Sequence, residues 1–268
     1  MFAIAAGAAL SSYLTIGPAP VAAQGAGGQQ AGAAQQGGQR YRAPRNVYGQ
    51  ADLSGIWQAL NTAWVNLEDH AGALGEPAGL SVVVGGEIPY RPETLKKRGQ
   101  NFERRQTDDP DVKCYSPGVP RATYMPYPFQ IFQAANYVVF TYEYQHLVRL
   151  IYLNKPHPDG ALGFWMGDSR AKWDGDTLVV DVAALHGDSW LDHAGNHHTD
   201  EMHVVERVTR TSADHLLYEA TIEDPKTYTL PWTIRMPLYK RVEPNLQLLE
   251  YECVAYLEKV LYPKPGTK

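Results

Sequence analysis

The chain is short of most things that would name its chemistry. It has two cysteines in 268 residues, Cys114 and Cys253. Two thiols cannot build a cysteine-rich zinc site or a dense disulfide framework, and no C-x-x-C-H haem-attachment run is present. No G-x-S-x-G elbow marks a hydrolase nucleophile, and Ser169, in Asp168-Ser169-Arg170, reads as part of a turn. A Gly-rich phosphate loop and a dinucleotide fingerprint are both missing. Charge of one sign is not in excess either. With 24 basic and 29 acidic side chains the net charge is −5, and the signs mix along the chain. That balance argues against nucleic acid or an anionic membrane face as partner.

Charge is wholly absent from residues 1–39. Residues 1–23 are apolar and small, and Val21-Ala22-Ala23 before Gln24 fits the small-x-small rule for signal-peptide cleavage, without the usual basic leader. The apolar run is shorter than the ~20 residues that span a bilayer. The expectation is a signal peptide at 1–23, export to the periplasm or exterior of a bacterium, and no membrane span in the mature chain; a retained anchor is the alternative. Gln24–Gln39 contains only Gln, Gly and Ala, too little apolar surface to fold, so 24–44 reads as a flexible linker. Residues 45–268 then have the size of one domain. In an oxidising compartment Cys114 and Cys253 can form a disulfide around a long loop; two buried thiols are the alternative.

What is plentiful points to strands. Seventeen tyrosines, six tryptophans and nineteen prolines favour sheets and turns over helices. Between Tyr137 and Tyr256 short strand patterns follow one another. Asp174-Gly175-Asp176 predicts a tight hairpin turn, and Leu216, Tyr218, Ala220 and Ile222 alternate with more polar neighbours as one buried face. Thr227–Met236 and Leu246–Leu257 read as further strands. A meander of this length closes to remove its edges, which predicts an all-β, antiparallel up-and-down barrel; a β-sandwich is the alternative. Only Pro92–Arg105 reads as helix, and Cys114–Arg121 is a long Pro-rich loop.

Several runs occur together: CYSPGVPR, PYPFQIFQ, YEYQHLVRLIYL, WMGDSRAKWDGDTLVVDV, GNHHTDEMHVVERVTR and EDPKTYTLPWT. In these the chain resembles a family of exported bacterial proteins of undescribed activity, over about Asp52 to Glu252. The resemblance implies export and a lipocalin-like, calycin-type barrel, and it implies no reaction.

The candidate site must come from the residues. Trp190–Arg207 holds four of the nine histidines, His193, His197, His198 and His203, among acidic side chains. Imidazoles and carboxylates move protons or bind metals near neutral pH. The four rings supply enough donors for a divalent metal ion, but their spacing matches no zinc signature; solvated loop histidines are the alternative. On the strand 203–210, Glu206 shares a face with Val204 and Val208, and on 146–153 Arg149 shares one with Leu147 and Ile151. The two predict either a structural ion pair or the charged floor of a cavity. His198 and Glu206 are therefore the candidates for proton transfer, His157 for a second acid–base or metal role and Arg149 for holding a carboxylate or a developing oxyanion. Tyr142, Trp165, Trp190 and Arg207 are the candidates for contacting substrate, though large aromatics in a β protein are commonly core. The function expected is an exported enzyme of the lyase, isomerase or hydrolase kind, acting on a small hydrophobic, aromatic or sugar-linked molecule. The alternatives are a non-catalytic binding barrel and an envelope-tethered structural protein.

Overall fold

Alternation of apolar and polar residues decides the architecture, because a strand that buries every second side chain must lay that face against a core. In the segment His215–Glu223, Leu216, Tyr218, Ala220 and Ile222 are all fully buried while their neighbours are partly exposed. The computed structural model describes residues 41–73, 75–160 and 162–255. Among them, nine strands close into one barrel in sequence order: β1 (Gly55–Gln58), β2 (Phe129–Gln133), β3 (Tyr137–Tyr142), β4 (Val148–Leu153), β5 (Asp168–Asp174), β6 (Thr177–Ala183), β7 (His203–Arg210), β8 (His215–Glu223) and β9 (Trp232–Lys240). β1 pairs with both β2 and β9, so no edge is left open.

The expected hairpin is present: Asp174 pairs with Thr177 across a turn in which Gly175 takes a φ of 60°. The sheet is not antiparallel throughout. β4 and β5 run parallel, with Ile151 opposite Ser169 and Leu153 opposite Ala171. Residues 154–167 carry the chain back to the same end of the barrel, the long connection that parallel neighbours require. The crossover ends at Gly167, φ 64°, where a Cβ would come within 2.8 Å of Val182 and 3.0 Å of the Ala183 carbonyl oxygen. Only glycine fits there.

Two further expectations are corrected. The barrel begins upstream of Tyr137, since β1 and β2 are staves of it. Leu246–Leu257 forms no strand over its described residues, to 255: β9 already closes on β1, and the tail makes only a single bridge, Tyr144 to Tyr251. It is held instead by the Cys114–Cys253 disulfide, Cα atoms 5.6 Å apart, and by Tyr251 packing against Tyr127 and Tyr144. The proposed leader at 1–23 and the linker up to residue 40 lie outside the described residues, as do 256 and 257. No helix among the described residues is long and apolar enough to cross a membrane.

Trp57, Phe129, Phe140, Ile151, Val180 and Tyr218 are among the side chains that fill the barrel. One end is built over by loops: helix α1 (Pro92–Glu103), short helical turns at Arg105–Asp108, Pro110–Lys113 and Arg121–Tyr124, and the histidine-rich segment 186–200. Leu67, Tyr124, Leu191 and Tyr228 continue the core into this end.

Candidate functional site

The charged residues that the strand patterns point inward do meet. Arg149 and Glu206 are buried inside the barrel, 2 % and 1 % exposed. Arg149 donates through Nη1 to Glu206 Oε1 at 3.1 Å and through Nη2 to Oε2. Its Nε donates to Ser169 Oγ at 2.9 Å, and the Tyr218 hydroxyl donates to Glu206 Oε1 at 2.7 Å. Burial works against the charge on Arg149, but the Glu206 carboxylate outweighs it and holds the guanidinium above its ordinary value. Two ions so completely engaged tie β4, β5, β7 and β8 together. Tyr142 lies in the same interior, its ring packed on Phe129 and its hydroxyl without a partner.

His157 and His203 lie elsewhere, on the outer wall. His157 Nδ1 is 2.6 Å from Asp168 Oδ1 and its Nε2 3.0 Å from Asp181 Oδ1, the atom that His203 Nε2 also meets at 2.7 Å. Arg207 points outward on β7 and pairs with Asp174 at 2.9 Å, so it contacts solvent rather than a pocket.

The rest of the histidine-rich segment is folded into the loop-built end of the barrel. α1 lies directly on Gly195, whose φ is 86° and where a Cβ would be 2.6 Å from Asn101 Cβ. Asn101 Nδ2 donates to the Gly195 carbonyl at 3.1 Å. Asp192, fully buried, accepts from the Leu67 and Asn196 backbone N–H groups at 2.9 and 3.1 Å; burial nonetheless pushes its carboxyl up. His193 Nδ1 donates to Asp109 Oδ2 at 2.9 Å, and Arg121 grips Asp109 with two bonds of 2.9 Å. Burial opposes that carboxylate, but Arg121 and His193 hold it well below the usual range. His198 Nδ1 donates to the Thr199 carbonyl at 2.8 Å, which leaves Nε2 to accept from the Ser189 hydroxyl at 2.8 Å. His193, His198 and His203 thus have separate partners, and with His197 they do not form one ligand set. No three His, Cys, Asp or Glu side chains among the described residues are arranged to hold a metal ion.

His197 is different. Its ring stacks on Tyr90, centroids 5.7 Å apart, and its carbonyl accepts from the Tyr228 hydroxyl at 2.7 Å. Its side chain is buried and its Nδ1 has no partner. Burial, helped by the nearby positive charge of Lys97, pushes its pKa down to about 4. The ring is therefore neutral at neutral pH, with a buried polar atom unanswered, an arrangement that costs free energy unless something else supplies the bond.

His197 lines a cleft of about 350 Å³ between α1, the 108–115 loop and the 187–197 segment, together with Lys97, Asn101, Lys113, Tyr115, Asp188 and Trp190 among others. Through Gly187 and Asp188 it adjoins a second cleft of about 660 Å³, between the crossover residues Leu162 and Gly163, His186 and the Thr199–Asp200 turn. Trp165 stands at this junction, stacked on His186 at 4.5 Å and tilted against Tyr115 at 5.2 Å. The Nδ1 of His186 makes no hydrogen bond, and the Asp188 carboxylate stands 3.6 Å from it. Among the described residues neither Lys97 nor Lys113 is in an ion pair, whereas Asp108 is neutralised by Arg104 at 3.1 Å.

Of the residues expected at a site, Trp190 and His197 line this groove and Trp165 borders it. His198 lies behind it, His193 is locked to Asp109, and Arg149, Glu206 and Tyr142 are in the barrel. Lys97, Asn101, Lys113, Tyr115 and His186 were not anticipated. The Pro-Glu start that marks α1 located the first two on a helix, but nothing local shows which face of that helix meets the 186–200 segment. The chain matches no known family model, no curated protein and no solved structure.

Proposed function

We propose that the chain is an exported, lipocalin-like barrel that binds a small molecule combining an aromatic or sugar ring with an anionic group, and that it does so in the loop-end groove rather than along the barrel axis. The observation that carries this reading is a cleft lined by His197, a residue whose buried Nδ1 has no partner. A ligand donor would complete it, Lys97 and Lys113 would meet an anionic group, and Trp190 and Tyr115 offer ring faces. Export is supported by the uncharged residues 1–39, by the resemblance to exported bacterial proteins and by the disulfide, which suits an oxidising compartment.

Titration calorimetry with 4-hydroxybenzoate and with glucuronate tests it. At least one should bind, more weakly as salt rises, and His197→Gln should weaken that binding about tenfold, the worth of one good hydrogen bond at ~1.4 kcal/mol. If neither probe binds, or the variant binds as tightly as the parent, the groove is not the site.

Acid–base catalysis in the same groove is a second reading, of the lyase, isomerase or hydrolase kind. The Ser189–His198–Thr199 chain favours it, because the tautomer of His198 is held so that Nε2 can take a proton from Ser189. Ser189 is buried, between the groove residues Asp188 and Trp190. Turnover of either probe that is lost in His198→Gln would establish catalysis.

A further inference from the structure

The crossover that makes β4 and β5 parallel is fastened by one histidine. His157 projects from the segment 154–167 and places each ring nitrogen against a carboxylate oxygen, Nδ1 on Asp168 at 2.6 Å and Nε2 on Asp181 at 3.0 Å. A neutral imidazole has one N–H and an ionised carboxylate only accepts, so both contacts are hydrogen bonds only when the ring carries two protons. Both carboxylates are ionised. Arg170, bound to Asp168 at 2.6 and 2.7 Å, lowers that acid further, and at Asp181 the bonds from His203 and His157 outweigh burial. The charged or titratable groups around the ring are Asp168 and Arg170 on β5, Asp181 on β6, and His203 on β7 with Glu223 opposite it on β8. On its own segment are Lys155 and Asp159. His203 needs only its Nε2–H to reach Asp181, so it does not replace the second proton of His157.

Among the described residues beyond His157, the next fixed point of the crossover is Phe164, whose N–H donates to the Ala184 carbonyl at 2.8 Å and whose carbonyl accepts from His186 N–H at 2.9 Å. The described residues between them are exposed, and they include Leu162 and Gly163, one wall of the larger cleft. We propose that His157 is a protonation-dependent clasp: as imidazolium it ties the 154–167 crossover to β5 and β6, and loss of its proton frees the arc that walls the larger cleft adjoining the groove. The effect on the groove rests on the binding reading above; the clasp itself does not. Its contacts are partly exposed to solvent, so salt weakens it and the motion released is local rather than global.

Hydrogen exchange of the full chain at about pH 5.5 and about pH 8.5, corrected for intrinsic exchange, reads the arc directly. Protection of the Asn154, Phe164 and His186 amides, which fasten the ends of the arc, should fall about tenfold at the higher pH while the β7 and β8 strands hold theirs. His157→Gln should be loose at both. Ring-carbon NMR of histidine-labelled protein supplies a second measurement, in which the loosening must follow the titration of His157. Equal protection at both pH values, a His157→Gln arc as protected as the parent's, or loosening at a pH where His157 does not titrate overturns the clasp. A clasp that works in a chain binding neither probe would leave this inference standing and remove the groove. The reverse result would remove the clasp alone.

Discussion

The barrel interior and the loop-built end both bury charged or imidazole side chains, and they treat them differently. Inside the barrel, Arg149 and Glu206 answer each other and are further bonded by Ser169 and Tyr218. At the loop end, Asp109, Asp192, His193 and His198 are answered as fully, but the Nδ1 atom of His197 is not. Burial alone therefore does not separate scaffold from site here. A buried ion with every bond made is expensive to disturb and inert, whereas a buried polar atom left open beside a cleft has something to gain from a ligand.

The sharpest way to break this comparison is at the barrel wall. Leu216 is fully buried while its neighbour Leu217 faces outward. Leu216→Asp should abolish cooperative folding, because it buries an unpaired charge, and Leu217→Asp should cost about 1 kcal/mol or less in urea unfolding. Equal effects would mean that the interior is not the apolar, close-packed region described.

Next in size is the ion pair. Glu206→Gln leaves the Arg149 guanidinium buried without its counter-charge and should cost about 3–5 kcal/mol. Adding Arg149→Met should recover much of that loss in the double mutant. A single variant with unchanged stability would move Glu206 from the scaffold to the candidates for chemistry.

The smallest effect belongs to the loop end and depends on pH. His197 has a folded-state pKa of about 4, below the ordinary imidazole value, so the unfolded chain binds more protons than the folded one between about pH 6.5 and that value. Its contribution should lower stability as pH falls through this window, by up to about 3 kcal/mol, and be absent above it. His197→Gln should flatten the slope of unfolding free energy against pH there. An unchanged slope would show that the ring is not held neutral by its surroundings.

Particular residues show how much of this was legible in the chain. The period-two alternation of Leu216, Tyr218, Ala220 and Ile222, the Asp174-Gly175-Asp176 turn and the inward faces of Arg149 and Glu206 follow from local geometry, because adjacent side chains on a strand must point to opposite faces. The parallel pairing of β4 and β5 does not: residues 154–167 read as a loop of either kind, and contacts with distant residues, such as Phe164 with Ala184 and Gly167 with Val182, hold it where it lands. The histidine-rich segment was visible as a site of unusual composition, but composition cannot say which ring is answered.

The sequence by itself determined that the chain is all-β in its folded part, which strand faces are buried and that Arg149 and Glu206 share the interior, since these depend on residue spacing and on the cost of burying charge. Only the tertiary structure decided the order in which β1 and β2 complete the barrel, the pairing of Cys114 with Cys253, and the separation of His157, His197 and His198 into three environments. Those outcomes depend on contacts between residues far apart in the chain, where loop geometry and the competition among many donors for few acceptors set the result.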